Sequence, residues 1–262
     1  MQSPVKLHAQ ISGDPAAPAV ILLHGLFGMS DNLGLLARAL QDRYAVHRLD
    51  LRNHGRSDWS SEMSIAAMAE DVVAYCEQHS LERAAFFGHS LGGKVAMQVA
   101  LNWPQCVSAL IVADIAPVTY PPHHNEILQA LAELDLAKIS SRQQADQLFA
   151  ETVADLFVRQ FVLKNLYRDE TRQFVWRMNV PVLIRHYDQL RLAPEGQPFS
   201  GPCLFVKGDT SAYIQQKHAG VIAELFPAAQ FRIIQGAGHF LHSEKPSAFN
   251  YLVGRFLDEL LL

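Results

Sequence analysis

The sequence predicts an α/β fold, with a mostly parallel β-sheet flanked by helices and interrupted by a helical insertion. Three observations lead there. Short segments that are apolar on both faces recur along the chain, as the central strands of a covered parallel sheet do. Stretches with apolar residues at helical spacing alternate with them. The alternation stops after Asp114 and resumes near Cys203. With 262 residues, 49% hydrophobic and 18% charged, the composition is that of a packed globular chain and excludes intrinsic disorder.

In chain order, residues 5–11 alternate apolar and polar as a half-exposed strand, closed by the turn residues Gly13-Asp14-Pro15. Ala19–Leu23 is apolar throughout and reads as a buried strand, as do 84–87, 107–112 and 203–206. Residues 32–40, 65–78 and 95–101 carry the helical period between them. From Pro117 to about Gly201 no buried strand is evident, and helical blocks at 125–136, 142–150 and 154–167 take over. This stretch is too long for a plain loop. Pro117, Pro121-Pro122, Pro194 and Pro198-Phe199-Ser200-Gly201-Pro202 punctuate its ends. A helix ending near Leu225, a strand at 231–234 and an amphipathic helix at 246–261 complete the pattern. The expected organisation is one sheet core, 1–116 and 201–262, interrupted by a helical cap, 117–200.

Composition also limits function. A formal charge of −4 with scattered Arg and Lys provides no basic field for a phosphate backbone, so nucleic acid is not an expected partner. Residues 1–10 lack a signal-peptide core, and no apolar run reaches the roughly 18 to 20 residues of a membrane span. The expectation is a cytoplasmic protein, monomer or homodimer. Cys76, Cys106 and Cys203 are odd in number and far apart, as buried small hydrophobes in a reducing compartment would be. No metal-ligand spacing accompanies the histidines, and no metal is expected.

Gly88-His89-Ser90-Leu91-Gly92 is a G-x-S-x-G motif directly after an apolar strand and directly before a helix. That context suits a strained turn presenting Ser90 as a nucleophile, with glycines leaving room for neighbouring segments; the plainer reading is a helix-capping serine. Serine needs a base, and in this chain order the base follows late, on a loop beyond a strand. His239 fits, reached through Gln235-Gly236-Ala237-Gly238. His242 lacks that glycine approach, and His123-His124 read as polar surface.

An acid must then orient the imidazole, and two aspartates stand at strand ends: Asp114 after 107–113, and Asp209 after Gly208. Both keep the order Ser, acid, His, so order does not choose between them. Oxyanion donors are expected from His24-Gly25-Leu26-Phe27-Gly28, through the Leu26 or Phe27 amide, and from the Leu91 amide after the nucleophile.

Together with Asp50-Leu51-Arg52-Asn53-His54-Gly55-Arg56-Ser57 and Asp114-Ile115-Ala116-Pro117, these motifs resemble the α/β-hydrolase superfamily, most of all its small bacterial YbfF-type esterases. The resemblance covers nearly the whole chain. It implies an eight-stranded, mostly parallel sheet with an inserted helical cap, and cofactor-free hydrolysis of short to medium acyl esters, acyl-CoA thioesters included. The usual superfamily acid stands three residues after the glycine ending the seventh strand, and here that position is Ser211. YbfF-type esterases take their acid from the end of the sixth strand, so the resemblance favours Asp114 over Asp209.

Under the cap, Phe27, Phe157, Phe161, Trp176 and Tyr187 are candidate acyl-pocket residues, or else cap and core packing. Arg168, Arg172, Arg177 and Arg185 are candidates for the mouth, or a solvated helix face. The rival readings are C–C hydrolysis, lactone opening or perhydrolysis with the same residues, and a non-catalytic ligand receptor.

Overall fold

The computed structural model describes residues 3–261; residues 1, 2 and 262, which the expected core segments include, lie outside the described residues. The chain begins with strand β1 (Ala9–Ser12) and strand β2 (Ala19–Leu23). Helix α1 (Gly34–Leu40), strand β3 (Ala45–Leu49), helix α2 (Ile65–Gln78), strand β4 (Ala84–His89), helix α3 (Leu91–Asn102) and strand β5 (Val107–Ala113) follow. A long helical segment comes next, with α4 (Asn125–Glu133), α5 (Arg142–Ala150) and α6 (Leu156–Leu163). A short antiparallel ribbon, β6 (Leu166–Arg168) and β7 (Phe174–Trp176), and helices α7 (Val180–Arg185) and α8 (Tyr187–Leu190) complete it. The chain then returns to the sheet through β8 (Cys203–Gly208), α9 (Ala219–Leu225), β9 (Ala229–Ile234), α10 (Leu241–Glu244) and α11 (Pro246–Leu261).

The main sheet has the order β1-β3-β2-β4-β5-β8-β9, with β1 antiparallel to β3 and every other neighbour parallel. The reason is visible in β2. Val20 and Leu22 join the apolar cluster shared with Leu36 and Leu40 of α1 and Phe249 and Val253 of α11. Ile21 and Leu23 point to the opposite face, where Met68 and Val72 of α2 and Val95 and Val99 of α3 pack. A strand covered on both sides has no polar face, so its sequence is a continuous apolar run. The helical segment contributes Leu131, Phe149, Val162 and Leu166 to the same cluster as α2 and α3. Among the described residues side-chain caps open three α-helices: Ser64 accepts from Ala67 N, Ser141 from Gln144 N, and Asp155 from Phe157 N and Val158 N.

Three expectations are corrected. The sheet has seven strands among the described residues, one fewer than the resemblance implies. Only the end of the segment at 5–11 is strand. Before it, Val5 N donates to Asp71 Oδ1 at 2.8 Å and His8 N to Ser57 Oγ at 2.8 Å, so side chains take amides that a longer ladder would use. The stretch from Pro117 to Gly201 does contain strands, the ribbon β6 and β7, three residues each and too short for a periodic signal. The helix expected over 154–167 accordingly stops at Leu163. Among the described residues no helix is long and apolar enough to cross a membrane.

Candidate active site

Ser90 is the single residue between β4 and α3, at φ 53° and ψ −116°. This backbone is strained for a residue with a Cβ and persists only where the surroundings over-determine it. Here they do. Ser90 N donates to Ala113 O at 3.1 Å, and Lys94 N donates to Ser90 O at 3.1 Å. A Cβ on Gly88 would lie 2.1 Å from Gly92 O, and one on Gly92 would lie 2.4 Å from Leu23 O. Only glycine allows strand, elbow and helix to approach this closely.

His239 stands on the loop after β9, within the same cavity as Ser90. Its Nδ1–H donates to Asp114 Oδ2 at 2.7 Å, which leaves Nε2 as the acceptor nitrogen. Asp114 directly follows β5, with φ 52°, and is fully buried. It also accepts from Gly208 N at 3.3 Å and from the Ser211 hydroxyl. Ser211, at the position where the resemblance puts the wider superfamily's acid, thus donates to Asp114. Tyr213 stacks on the imidazole with centroids 3.9 Å apart, and His89 Nε2–H donates to His239 O at 2.8 Å, joining the elbow to the histidine loop.

Asp209, the alternative acid, is directed elsewhere. Its Oδ1 accepts from Ala237 N at 3.1 Å, and backbone amides, chiefly that of Gly236, hold its carboxyl below the usual range. It supports the loop that carries His239 and does not touch the imidazole.

The loop after β2 is held from several sides. His24 is buried, its Nδ1–H donating to Gly25 O at 2.8 Å and its Nε2 accepting from Leu51 N at 3.0 Å. Gly28 N donates to Gly25 O at 2.9 Å, closing a turn with Leu26 and Phe27 at its centre. Of the two alternative loop amides, Leu26 and Phe27, that of Phe27 is taken: it donates to His54 Nε2 at 3.3 Å. Leu26 and Leu91 border the same cavity as Ser90. His54 sits in the motif at 50–57, to which the sequence attached no role. Burial pushes its pKa down to about 3, so it is neutral and keeps an acceptor nitrogen for Phe27.

Beside Ser90 and His239 opens a cavity of about 240 Å³, walled by Phe27, Ile127, Val158, Phe161, Val162 and Phe240. A smaller recess that also reaches Ser90 is bordered by Leu91, Lys94, Tyr120, Tyr187, Leu190 and Arg191. Three of the expected pocket residues, Phe27, Phe161 and Tyr187, therefore line these spaces. Two do not. Phe157 is 45% exposed and packs on Phe240 at 4.9 Å, while Trp176 is buried against Phe149.

Arg168, Arg172, Arg177 and Arg185 border neither space. Arg168 lies over Phe174 at 4.1 Å and Arg177 over Tyr167 at 4.2 Å, so local ring contacts occupy them. His123 and His124, read as polar surface, instead face the cavity. The Tyr187 hydroxyl accepts from both their amides at 3.1 Å, and burial pushes His124 down to about 4.

Lys94 ties the helix of the elbow to the helical segment. Its Nζ donates to Arg191 O and Leu192 O, each at 2.6 Å, and burial pushes its pKa down to about 7.

The fold has counterparts among known proteins. The family model for the alpha/beta hydrolase fold matches residues 18–246. The chain is 38% identical over 256 residues to the sn-1-specific diacylglycerol lipase ABHD11 of Mus musculus, covering 94% of this chain and 83% of that one. It is 35% identical over 241 residues to esterase YbfF of Escherichia coli, covering 92% and 93%. A solved structure described as a marine microorganism esterase superposes with a TM-score of 0.94 at 34% identity, covering 97% of this chain and 100% of that one. The chain belongs to the alpha/beta hydrolase family and stands near the YbfF-type esterases within it.

Proposed function

We propose that the protein is a serine carboxylic-ester hydrolase acting on short to medium acyl esters and thioesters. The observation that carries this reading is the 2.7 Å bond from His239 Nδ1–H to buried Asp114, beside a cavity that Ser90 and His239 share. The Nε2 lone pair accepts the Ser90 proton as Oγ adds to the acyl carbon, and the Leu26 and Leu91 amides hold the oxyanion. Collapse of the tetrahedral species breaks the bond to the leaving oxygen or sulfur, which takes the proton from His239. Water then repeats the cycle: His239 removes its proton, the hydroxide adds to the acyl carbon, and Ser90 leaves with the proton restored.

Residues 117–200 act in this proposal as a cap over the core of 1–116 and 201–262. The apolar wall of Ile127, Val158, Phe161 and Val162 suits an unbranched acyl chain better than a sugar or a phosphate. Acyl-CoA belongs to the proposed class as a thioester.

A p-nitrophenyl ester series from two to twelve carbons, with fluorophosphonate labelling, tests the reading. The wild type is expected to hydrolyse and to label at Ser90, and Ser90→Ala to lose about 10⁴-fold or more in kcat with no labelling. Near-full activity in Ser90→Ala, or no hydrolysis and no labelling in the wild type, overturns it.

A further inference from the structure

We propose that Asn165, a residue of the helical segment that lines neither space beside Ser90, is a positioning residue for the oxyanion hole. The proposal rests on the hydrolase reading above and adds to it a route by which the acyl-binding wall controls the chemical step.

Phe27 is the pivot. Its φ of 61° is left-handed, costly for a phenylalanine by roughly 1–3 kcal/mol, so the loop relaxes unless something holds it. Two buried side chains do, one at each end of the residue. His54 Nε2 accepts the Phe27 amide at 3.3 Å, and Asn165 Nδ2 donates to Phe27 O at 2.7 Å. Leu26, whose amide is the proposed oxyanion donor, lies one peptide before this doubly held residue.

Asn165 is fully buried. Its Nδ2 also donates to Val162 O at 3.0 Å, and both acceptors are carbonyls, so only the NH₂ end of the amide fits there. Its own backbone is fixed as well, for Asn165 N donates to Val162 O at 3.1 Å and Arg177 N donates to Asn165 O at 2.8 Å.

A second asparagine of the segment bonds the residue beside the other support. Asn179 N donates to Asn53 O at 2.9 Å and Asn179 Nδ2 to Asn53 Oδ1 at 3.1 Å, next to His54. The helical segment thus supplies one partner of the Phe27 backbone and bonds the residue next to the other. Helix α6 supplies Val158, Phe161 and Val162 to the cavity wall and ends just before Asn165. An acyl chain that seats well against α6 therefore leaves the donor geometry intact, whereas one that displaces α6 moves Asn165 and with it Phe27.

The decisive variant is Asn165→Asp, which keeps the volume and sets an acceptor against two carbonyls. It is compared with Arg142→Met, which removes donors to Leu163 O and Leu166 O on either side of Asn165 without touching Phe27. Measured are kcat and KM on the best p-nitrophenyl ester, per labelled active site, and the affinity of a trifluoromethyl ketone of matching chain, whose adduct carries an oxyanion. For Asn165→Asp, kcat and ketone affinity should fall together by about 10- to 100-fold while KM stays within about 2-fold. Arg142→Met should melt at a lower temperature with both quantities within about 2-fold of wild type.

Wild-type kcat and ketone affinity in Asn165→Asp, a loss confined to KM, or an equal loss in Arg142→Met overturns the proposal. If Asn165→Asp does not fold, Asn165→Ala, which deletes both donors and adds no charge, is read by the same criteria. A wild type that neither hydrolyses nor labels sinks the hydrolase reading itself, a result distinct from all of these.

Discussion

On the sheet side of the cavity, Ser90, Asp114 and Phe27 all hold positive φ and are fixed by buried hydrogen bonds. On the helical side, Ile127, Val158, Phe161 and Val162 lie in regular helix and offer only apolar surface. The difference separates two tasks. A group that must meet a reacting atom needs one conformation, and the fold maintains it against strain; a surface that must accept an acyl chain needs area and tolerates exchange. Substitutions on the sheet side should therefore cost orders of magnitude in rate, and those on the helical side should shift preference by smaller factors.

The largest break in this contrast comes from the two candidate acids. Asp114→Asn should lower kcat by about 10³- to 10⁴-fold, since an amide at this position stabilises neither the required tautomer nor the imidazolium. Asp209→Asn keeps an acceptor for Ala237 N and should stay within about 3-fold of wild type in the same assay. Equal losses in the two variants would mean that geometry at His239 does not decide the acid.

A smaller effect sharpens the helical side. Phe161→Ala enlarges the cavity wall and should raise KM for an eight-carbon ester by about 10-fold, leaving kcat on a two-carbon ester within about 2-fold. A comparable fall in kcat on both esters would show that α6 acts on the chemistry through more than Asn165.

The smallest effect is on stability and involves both sides. Burial pushes His54 and His242 down to about 3 and His124 down to about 4. Each is neutral in the folded chain and takes a proton near pH 6.5 when unfolded. The unfolded state then binds more protons between about pH 4 and 6.5, so stability is complete above pH 6.5 and falls as pH drops through that window. Melting temperatures between pH 7 and 4.5 should show this decline. His242→Phe, which keeps a ring beside His89 and Phe249, should make it shallower. An unchanged slope would remove His242 from the account.

Legibility in the sequence follows the same division. Ser90 and His239 are readable because each needs glycines at fixed positions along the chain, and the apolar strands are readable because burial on two faces leaves a continuous run. β3 is harder to see, since His47 and Arg48 interrupt its apolar pattern. Asp114 and Asp209 follow neighbouring strands, and only the path of the loop after β9 brings one of them to the imidazole. Asn165 carries no local signature, and His54 lies in a motif whose sequence does not say what the ring touches. Their roles arise where the end of α6 and the loop at 50–57 meet Phe27, contacts separated by 138 and 27 residues. For the arginines of the helical segment the sequence left the mouth and a solvated face open, since charge does not say that Arg168 and Arg177 each cover a ring.

At the far edge of the sheet, β9 has β8 on one side and open backbone on the other, with Phe231 46% and Ile233 56% exposed. Such an edge is a template for pairing with another chain, and apolar side chains make that pairing adhesive. Arg232 stands between the two and is exposed. A charge set between two apolar side chains of an edge strand disfavours such pairing, a constraint on the sequence separate from anything that happens at Ser90.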